Sequence, residues 1–148
     1  MGILFEVPDD TSYQNVYQYI QKLQEMKIKV HAIGYVKEKY LSYHFLPVLS
    51  FDFLYEKDLN WYGKPKSRRS WDFWTSEFDI CINIGSSQCF PLKYIACRSS
   101  SHLIVGPYAD KDKDLYDVMV QPEATHDQNK FLQQVHDYLT ILNPKEDV

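Results

Sequence analysis

Apolar and polar positions alternate along this chain in two different periods, and the switches between them lay out the elements. Ile3 to Val7 is a short apolar run closed by Pro8, Asp9 and Asp10, the pattern of a buried first strand. From Tyr13 the spacing changes. Tyr13, Val16, Ile20, Leu23 and Met26 recur at three and four residues, which makes one apolar helix face, with Gln14, Gln18, Gln21 and Lys22 toward water. Thr11 or Ser12 is the expected cap. Ile28 to Val36 (IKVHAIGYV) is rich in β-branched residues and predicts a second strand. Strand, helix and strand thus fit within 36 residues, a βαβ unit whose crossover should be right-handed.

Val48 to Leu54 (VLSFDFL) predicts a third strand, reached through Tyr40 to Pro47 without an obvious long helix. A polar stretch from Glu56 to Arg69 holds Gly63 and Pro65, and a short helix is expected over Ser70 to Glu77. Phe78 to Ile84 predicts a fourth strand. It ends in Gly85-Ser86-Ser87, which feeds directly into a helix with Pro91 in its first turn and Leu92, Ile95 and Ala96 facing inward. His102 to Val105 predicts a fifth strand stopped by Gly106 and Pro107. Asp110 to Asp114 alternates acid and lysine, a solvated loop, and Tyr116 to Val120 predicts a sixth strand. The last helix, about His126 to Leu142, places Phe131, Leu132, Val135, Tyr138, Leu139 and Leu142 on one face and stops at Asn143-Pro144. This alternation predicts an α/β protein: a three-layer, Rossmann-like sandwich with a mostly parallel sheet of five or six strands, one domain across residues 1–148.

Composition narrows the function classes. Twenty acids against sixteen bases give a net charge of −4, which argues against general nucleic-acid binding along a duplex. Aromatic residues make up 16% of the chain, suited to cores and binding surfaces alike. Cys81, Cys89 and Cys97 are spaced eight apart with no CxxC pair, so neither a zinc site nor a disulfide framework is indicated; Cys81 and Cys97 should be core. A reducing cytoplasm is the expected home. No window approaches eighteen consecutive apolar residues, so no membrane span is expected. No GxGxxG or GxxxxGK[ST] is present. Gly63-Lys64-Pro65-Lys66-Ser67 only superficially resembles the latter, because Pro65 removes an amide donor, and no cofactor is expected.

Two segments carry candidate chemistry. Gly85, Ser86 and Ser87 lie where ligands settle in open α/β sheets, outside the carboxyl ends of the strands, and either offer amides and hydroxyls to a phosphate or simply make a tight turn and cap. Cys89 stands just before the following helix, whose dipole would lower a thiol pKa; the alternative is a semi-buried packing residue. No histidine pairs with it by spacing, since His31 and His102 fall in predicted strands, His126 and His136 in the last helix, and only His44 in a loop. The second segment, Leu59 to Trp71 (LNWYGKPKSRRSW), has four bases (Lys64, Lys66, Arg68 and Arg69), no acid, and three large aromatics including Trp61 and Trp71. Cations beside aromatic planes suit an anionic ligand, a single-stranded nucleic acid or an acidic partner, unless this is a solvated loop whose tryptophans fold back onto the sheet. Asp9 and Asp10 close the first strand while Asp79 opens the fourth, so in a parallel sheet they lie at opposite ends and form no carboxylate pair or metal site.

Taken in order, FDICINI, CFPLKYIA, HLIVG, LYDVMV and YLTIL resemble an uncharacterised family of small α/β proteins from Bacteroidetes, a domain of unknown function, nearly end to end. Members of that family tend to carry a basic helical segment before the first strand, so the resemblance implies a chain trimmed from a longer protein. The Phe78 to Gly106 region is also similar to part of the amino-terminal half of heptosyltransferase-type glycosyltransferases, over about thirty residues, which implies shared architecture rather than transfer activity. The expectation is a non-enzymatic binding or interaction module whose partner is an anionic small molecule or a protein. The alternatives are a small enzyme or degenerate glycosyltransferase-like domain holding a phosphorylated or sugar-nucleotide ligand at Gly85 to Cys89, and an oligomerisation domain using exposed aromatics.

Overall fold

Six strands form one sheet in the order β3-β2-β1-β4-β5-β6, with every pairing parallel. The structure is a computed structural model and describes residues 1–7, 10–36, 51–121 and 128–142. The strands are β1 (Gly2–Glu6), β2 (His31–Val36), β3 (Phe51–Tyr55), β4 (Ile80–Asn83), β5 (Leu103–Pro107) and β6 (Val118–Val120), and the helices α1 (Asp10–Glu25), α2 (Arg68–Thr75), α3 (Phe90–Arg98) and α4 (Gln128–Leu142). The order is that of a doubly wound Rossmann-type sheet, with the switch in direction between β1 and β4. Pro8 and Asp9, the connection from Tyr40 to Pro47 with His44, residues 48–50, His126 and the Asn143-Pro144 stop all lie outside the described residues.

The alternation of side chains along β1 divides the core. Ile3, Phe5 and Val7 point to one face, where Tyr13, Val16, Ile20 and Leu23 of α1 and Phe131, Leu132 and Val135 of α4 close over them. Leu4 points to the other, with Phe73 and Trp74 of α2 and Leu92, Ile95 and Ala96 of α3. Helices therefore cover both faces of a parallel sheet, which is why its strands read as continuous apolar runs rather than alternating ones. Tyr19 and His136 join α1 to α4 through a 2.8 Å hydrogen bond between the Tyr19 hydroxyl and His136 Nδ1.

Several boundaries and burials differ from the sequence expectation. Helix α1 starts at Asp10, so Thr11 and Ser12 lie inside its first turn instead of capping it. Met26 is half exposed because the helix has ended by then. Its end is a Schellman motif: the Ile28 N–H donates to the Leu23 carbonyl at 3.0 Å and the Lys27 N–H to that of Gln24 at 2.9 Å. Lys27 occupies the left-handed position with φ of 63°. Cys97 is exposed, since Leu92, Ile95 and Ala96 fix the buried face of α3 and a residue five positions after Leu92 turns away from it. Tyr138 is likewise well exposed on α4, while the side chains of Leu139 and Leu142 lie outside the described residues. Helix α2 starts two residues earlier than expected because Ser67 caps it, its Oγ accepting from the Ser70 N–H at 3.3 Å. Strand β5 runs on through Gly106 and Pro107, as Pro107 pairs with Val120 at the free end of the ladder. Gly106 is required there: a Cβ would lie 2.2 Å from the Tyr116 ring, which packs across it.

Two predictions follow from backbone and burial. A non-glycine residue in the left-handed region costs on the order of 1 kcal/mol, so Lys27→Gly is expected to raise stability by about that amount in urea denaturation; an unchanged or lower midpoint would count against the motif. Burial pushes the Cys81 thiol up to about 12 and the Tyr19 hydroxyl also to about 12. The unfolded chain releases these protons nearer the ordinary values of 9.0 and 10.0. Raising the pH therefore favours the unfolded state once the unfolded pKa is passed. Unfolding free energy should be insensitive to these groups below about pH 9 and decline from there toward about pH 12, which stepped-pH urea titrations would reveal; a flat profile over that window would refute it.

Candidate functional site

At the switch between β1 and β4, the ends of the two strands are tied by a side chain. The Glu6 carboxylate, at the last position of β1, accepts a 2.9 Å hydrogen bond from the Ser86 N–H. Asn83, at the end of β4, is fully buried; its Oδ1 accepts from the Gly85 N–H at 2.9 Å, and its Nδ2 donates to the Tyr116 hydroxyl at 2.9 Å. Burial drives the Tyr116 hydroxyl well above its ordinary range. Tyr35 pairs in register with Glu6, and burial, with Glu56, Cys89 and Glu6 adding to it, raises its hydroxyl to about 12. Both phenols stay neutral at physiological pH, and the Tyr116 hydroxyl accepts the bond from Asn83.

The turn spans Ser86 to Cys89 with Ser87 and Gln88 at its corners, just after Gly85, and the cap of α3 falls at Cys89, not at a serine. The Cys89 N–H donates to the Ser86 carbonyl at 3.1 Å, and its side chain makes no cap hydrogen bond. Cys89 is buried. Next to it, Lys93 of α3 donates to Asp112 Oδ1 at 3.0 Å. Asp112 is buried, in contrast to the solvated loop expected of Asp110 to Asp114, and its second oxygen has no hydrogen-bond partner among the described residues. Helix α3 is thus anchored to the segment after β5 by a shielded ion pair.

The second candidate segment is an ordered hairpin. Leu59 and Pro65 form an antiparallel bridge, the Lys66 N–H donates to the Asp58 carbonyl at 2.9 Å, and the Asn60 N–H donates to that of Lys64 at 2.9 Å. A β-turn closes the tip, with the Gly63 N–H bonded to the Asn60 carbonyl at 3.0 Å and the Asn60 side-chain oxygen accepting from the Tyr62 and Lys64 N–H groups. Asn at the first and Gly at the fourth position suit such a turn. Gly63 has φ of +90°, a backbone only glycine adopts readily. The two corner positions are Trp61 and Tyr62, and they stand out in water: Trp61 is 93% exposed and Tyr62 54%. The tryptophans do not fold back onto the sheet, since Trp71 is also half exposed.

The two candidate segments are neighbours. Gly63 abuts Phe90, the first residue of α3, whose ring is 47% exposed. From Phe90 a row of rings runs inward through Tyr94 at 6.2 Å to Trp74 at 5.9 Å. Lys64 lies over Tyr94 and Arg98 over Trp74, at 5.7 and 5.4 Å from the ring centres, while Arg68 covers Trp71. Arg68 also faces Asp72 at 3.5 Å, and Arg69 faces Asp52 at 4.0 Å. Lys57, Lys64 and Lys66 have no carboxylate partner among the described residues. The result is a lip of exposed aromatics and unneutralised cations at the carboxyl end of the sheet.

Among the described residues, no three His, Cys, Asp or Glu side chains gather as a metal-binding group, and no helix is long and apolar enough to cross a membrane. Over residues 1–142 the chain matches the family of unknown function DUF6913, and it belongs to that family. No curated protein and no solved structure matches it.

Sequence reading did not single out Glu6, Asn83, Tyr116 or Phe90. A signal existed for two of them, because Glu6 breaks the ILF run of β1 and Asn83 is a polar residue inside ICINI. It also missed a 2.8 Å pair between His31 Nε2 and Asp52 on neighbouring strands, at the opposite end of the sheet from the lip. The Lys93–Asp112 pair makes a direct prediction. Lys93→Met strands a buried carboxylate and should cost about 3 kcal/mol, whereas Lys93→Met with Asp112→Leu should regain most of that loss. Urea denaturation of both variants checks it, and equal stability of the single variant and the wild type would remove the pair's structural role.

Proposed function

We propose that this protein is a non-enzymatic binding module that takes an anionic partner on the lip formed by Trp61, Tyr62, Lys64, Lys66 and Phe90; Arg68, Arg69 and Trp71 lie on α2, where the two arginines face Asp72 and Asp52. The observation that carries the reading is Trp61. A tryptophan almost wholly in water is held there by an Asn60–Gly63 turn whose hydrogen bonds are all local. Exposed apolar clusters rimmed by charge mark interaction sites more often than they serve the fold. The surrounding cations give that surface a sign opposite to the chain's net charge of −4.

The alternative, a phosphorylated or sugar-nucleotide ligand at Gly85, Ser86, Ser87 and Cys89, has less support. An anion on the Ser86 N–H would have to displace the Glu6 carboxylate that already accepts from it. Catalysis by a serine needs a base within hydrogen-bond reach. Neither Ser86 nor Ser87 is hydrogen-bonded to a histidine among the described residues.

Heparin, a soluble polyanion, is the first probe. Titration into the purified protein should change tryptophan fluorescence saturably, and Trp61→Ala and Lys64→Glu/Lys66→Glu should each weaken binding at least about tenfold while the thermal melt stays within about 2 °C of wild type, as expected for surface changes. Equal binding by wild type and both variants would overturn the reading. Loss of binding in Ser86→Ala/Ser87→Ala instead would transfer the site to the turn.

A further inference from the structure

The same lip has features that favour one class of anionic partner, and the inference here rests on the binding reading above. We infer that the partner is the surface of an anionic lipid bilayer, on which the hairpin docks by sinking Trp61, Tyr62 and Phe90 into the headgroup region while Lys57, Lys64 and Lys66 meet lipid phosphates.

Shape comes first. Trp61 and Tyr62 occupy the corners of a projecting turn, and with 93% of its surface in water Trp61 is shielded by almost nothing. A peptide groove would wall its aromatics on at least one side, whereas a bilayer asks only that they project together. Tryptophan and tyrosine are the residues that settle at the membrane–water interface, their rings amphipathic at headgroup depth. Phe90 extends the same apolar tip from the adjoining end of α3, in contact range of Gly63.

Charge and ring geometry then separate the bilayer from its rivals. Single-stranded nucleic acid binds by stacking bases on a series of open ring faces. Here Lys64 lies over Tyr94, Arg98 over Trp74 and Arg68 over Trp71, and Trp61 and Tyr62 meet edge to face at 5.0 Å with their planes 81° apart, so the exposed rings present no row of parallel faces. A second copy of the chain meeting this patch about a two-fold axis would set Lys64 and Lys66 against themselves. An anionic bilayer has neither drawback. Basic groups held at its surface contribute about 1 kcal/mol each, or roughly fivefold in partitioning, and Lys57, Lys64 and Lys66 are spared neutralisation by any carboxylate among the described residues.

The test is sedimentation of the full chain with sucrose-loaded vesicles of phosphatidylglycerol and phosphatidylcholine in equal parts, against phosphatidylcholine alone, with a glutamate-rich peptide as a soluble acidic competitor. Binding is expected to the anionic vesicles, with a blue shift of tryptophan emission and quenching by lipids brominated near the headgroup. Trp61→Ala should lower partitioning about tenfold and Lys64→Glu/Lys66→Glu by more than about tenfold. Both variants should keep the wild-type melt. Heparin or peptide binding through Trp61 and the lysines, without vesicle binding, would overturn the bilayer inference and leave the binding reading standing. Vesicle binding indifferent to Trp61 and the lysines would overturn both.

Discussion

Everything in this structure is hung on β1. Its hydrogen bonds run to β2 on one side and β4 on the other, and Ile3, Leu4 and Phe5 expose nothing on either face. Burial of each such side chain contributes about 1.5–3 kcal/mol. That central position also sets the direction of the chain on both sides: α1, which leads from β1 to β2, covers one face, and α3, which leads from β4 to β5, covers the other. The place where the two directions diverge is where α/β sheets usually open to ligands. Here β1 itself supplies the acid that sits there.

Glu6 changes what that crevice can recognise. The Ser86 N–H, which on a bare turn would face an incoming anion, already points at a carboxylate. Behind it, Asn83, Gly85 and Tyr116 satisfy one another in the buried layer. Polar groups near the switch are thus spent on joining β1, β4 and the segment before β6. Unsatisfied character moves outward instead, to the hairpin that follows β3 and the start of α3.

Most of the fold was legible because a buried parallel sheet writes itself as apolar runs interrupted by helix-period stretches. IKVHAIGYV, FDICINI and HLIVG located β2, β4 and β5, and the stripe from Tyr13 to Leu23 located α1. Ends were less legible, since they depend on local hydrogen bonds that composition does not reveal: Ser67 outbid the apolar pattern for the start of α2, and the Schellman turn at Lys27 left Met26 outside. Both candidate segments were visible as odd stretches of sequence, one small and polar, the other basic and aromatic. Their adjacency was not, because Gly63 and Phe90 are brought together by the connection from β3 to β4, a long-range relation that spacing cannot express. Asp112 was misread for the same reason: its partner Lys93 lies nineteen residues away on a different element.

The hairpin's hydrogen bonds have a consequence for the energetics of encounter. A flexible loop must be frozen when it meets a partner, and each side chain and backbone unit so ordered subtracts from affinity. From Asp58 to Lys66 that ordering has already taken place during folding, through bonds that close on the segment itself. Trp61 therefore arrives at any surface in its final pose, as the fixed point of a rigid stylus rather than the end of a loose tether.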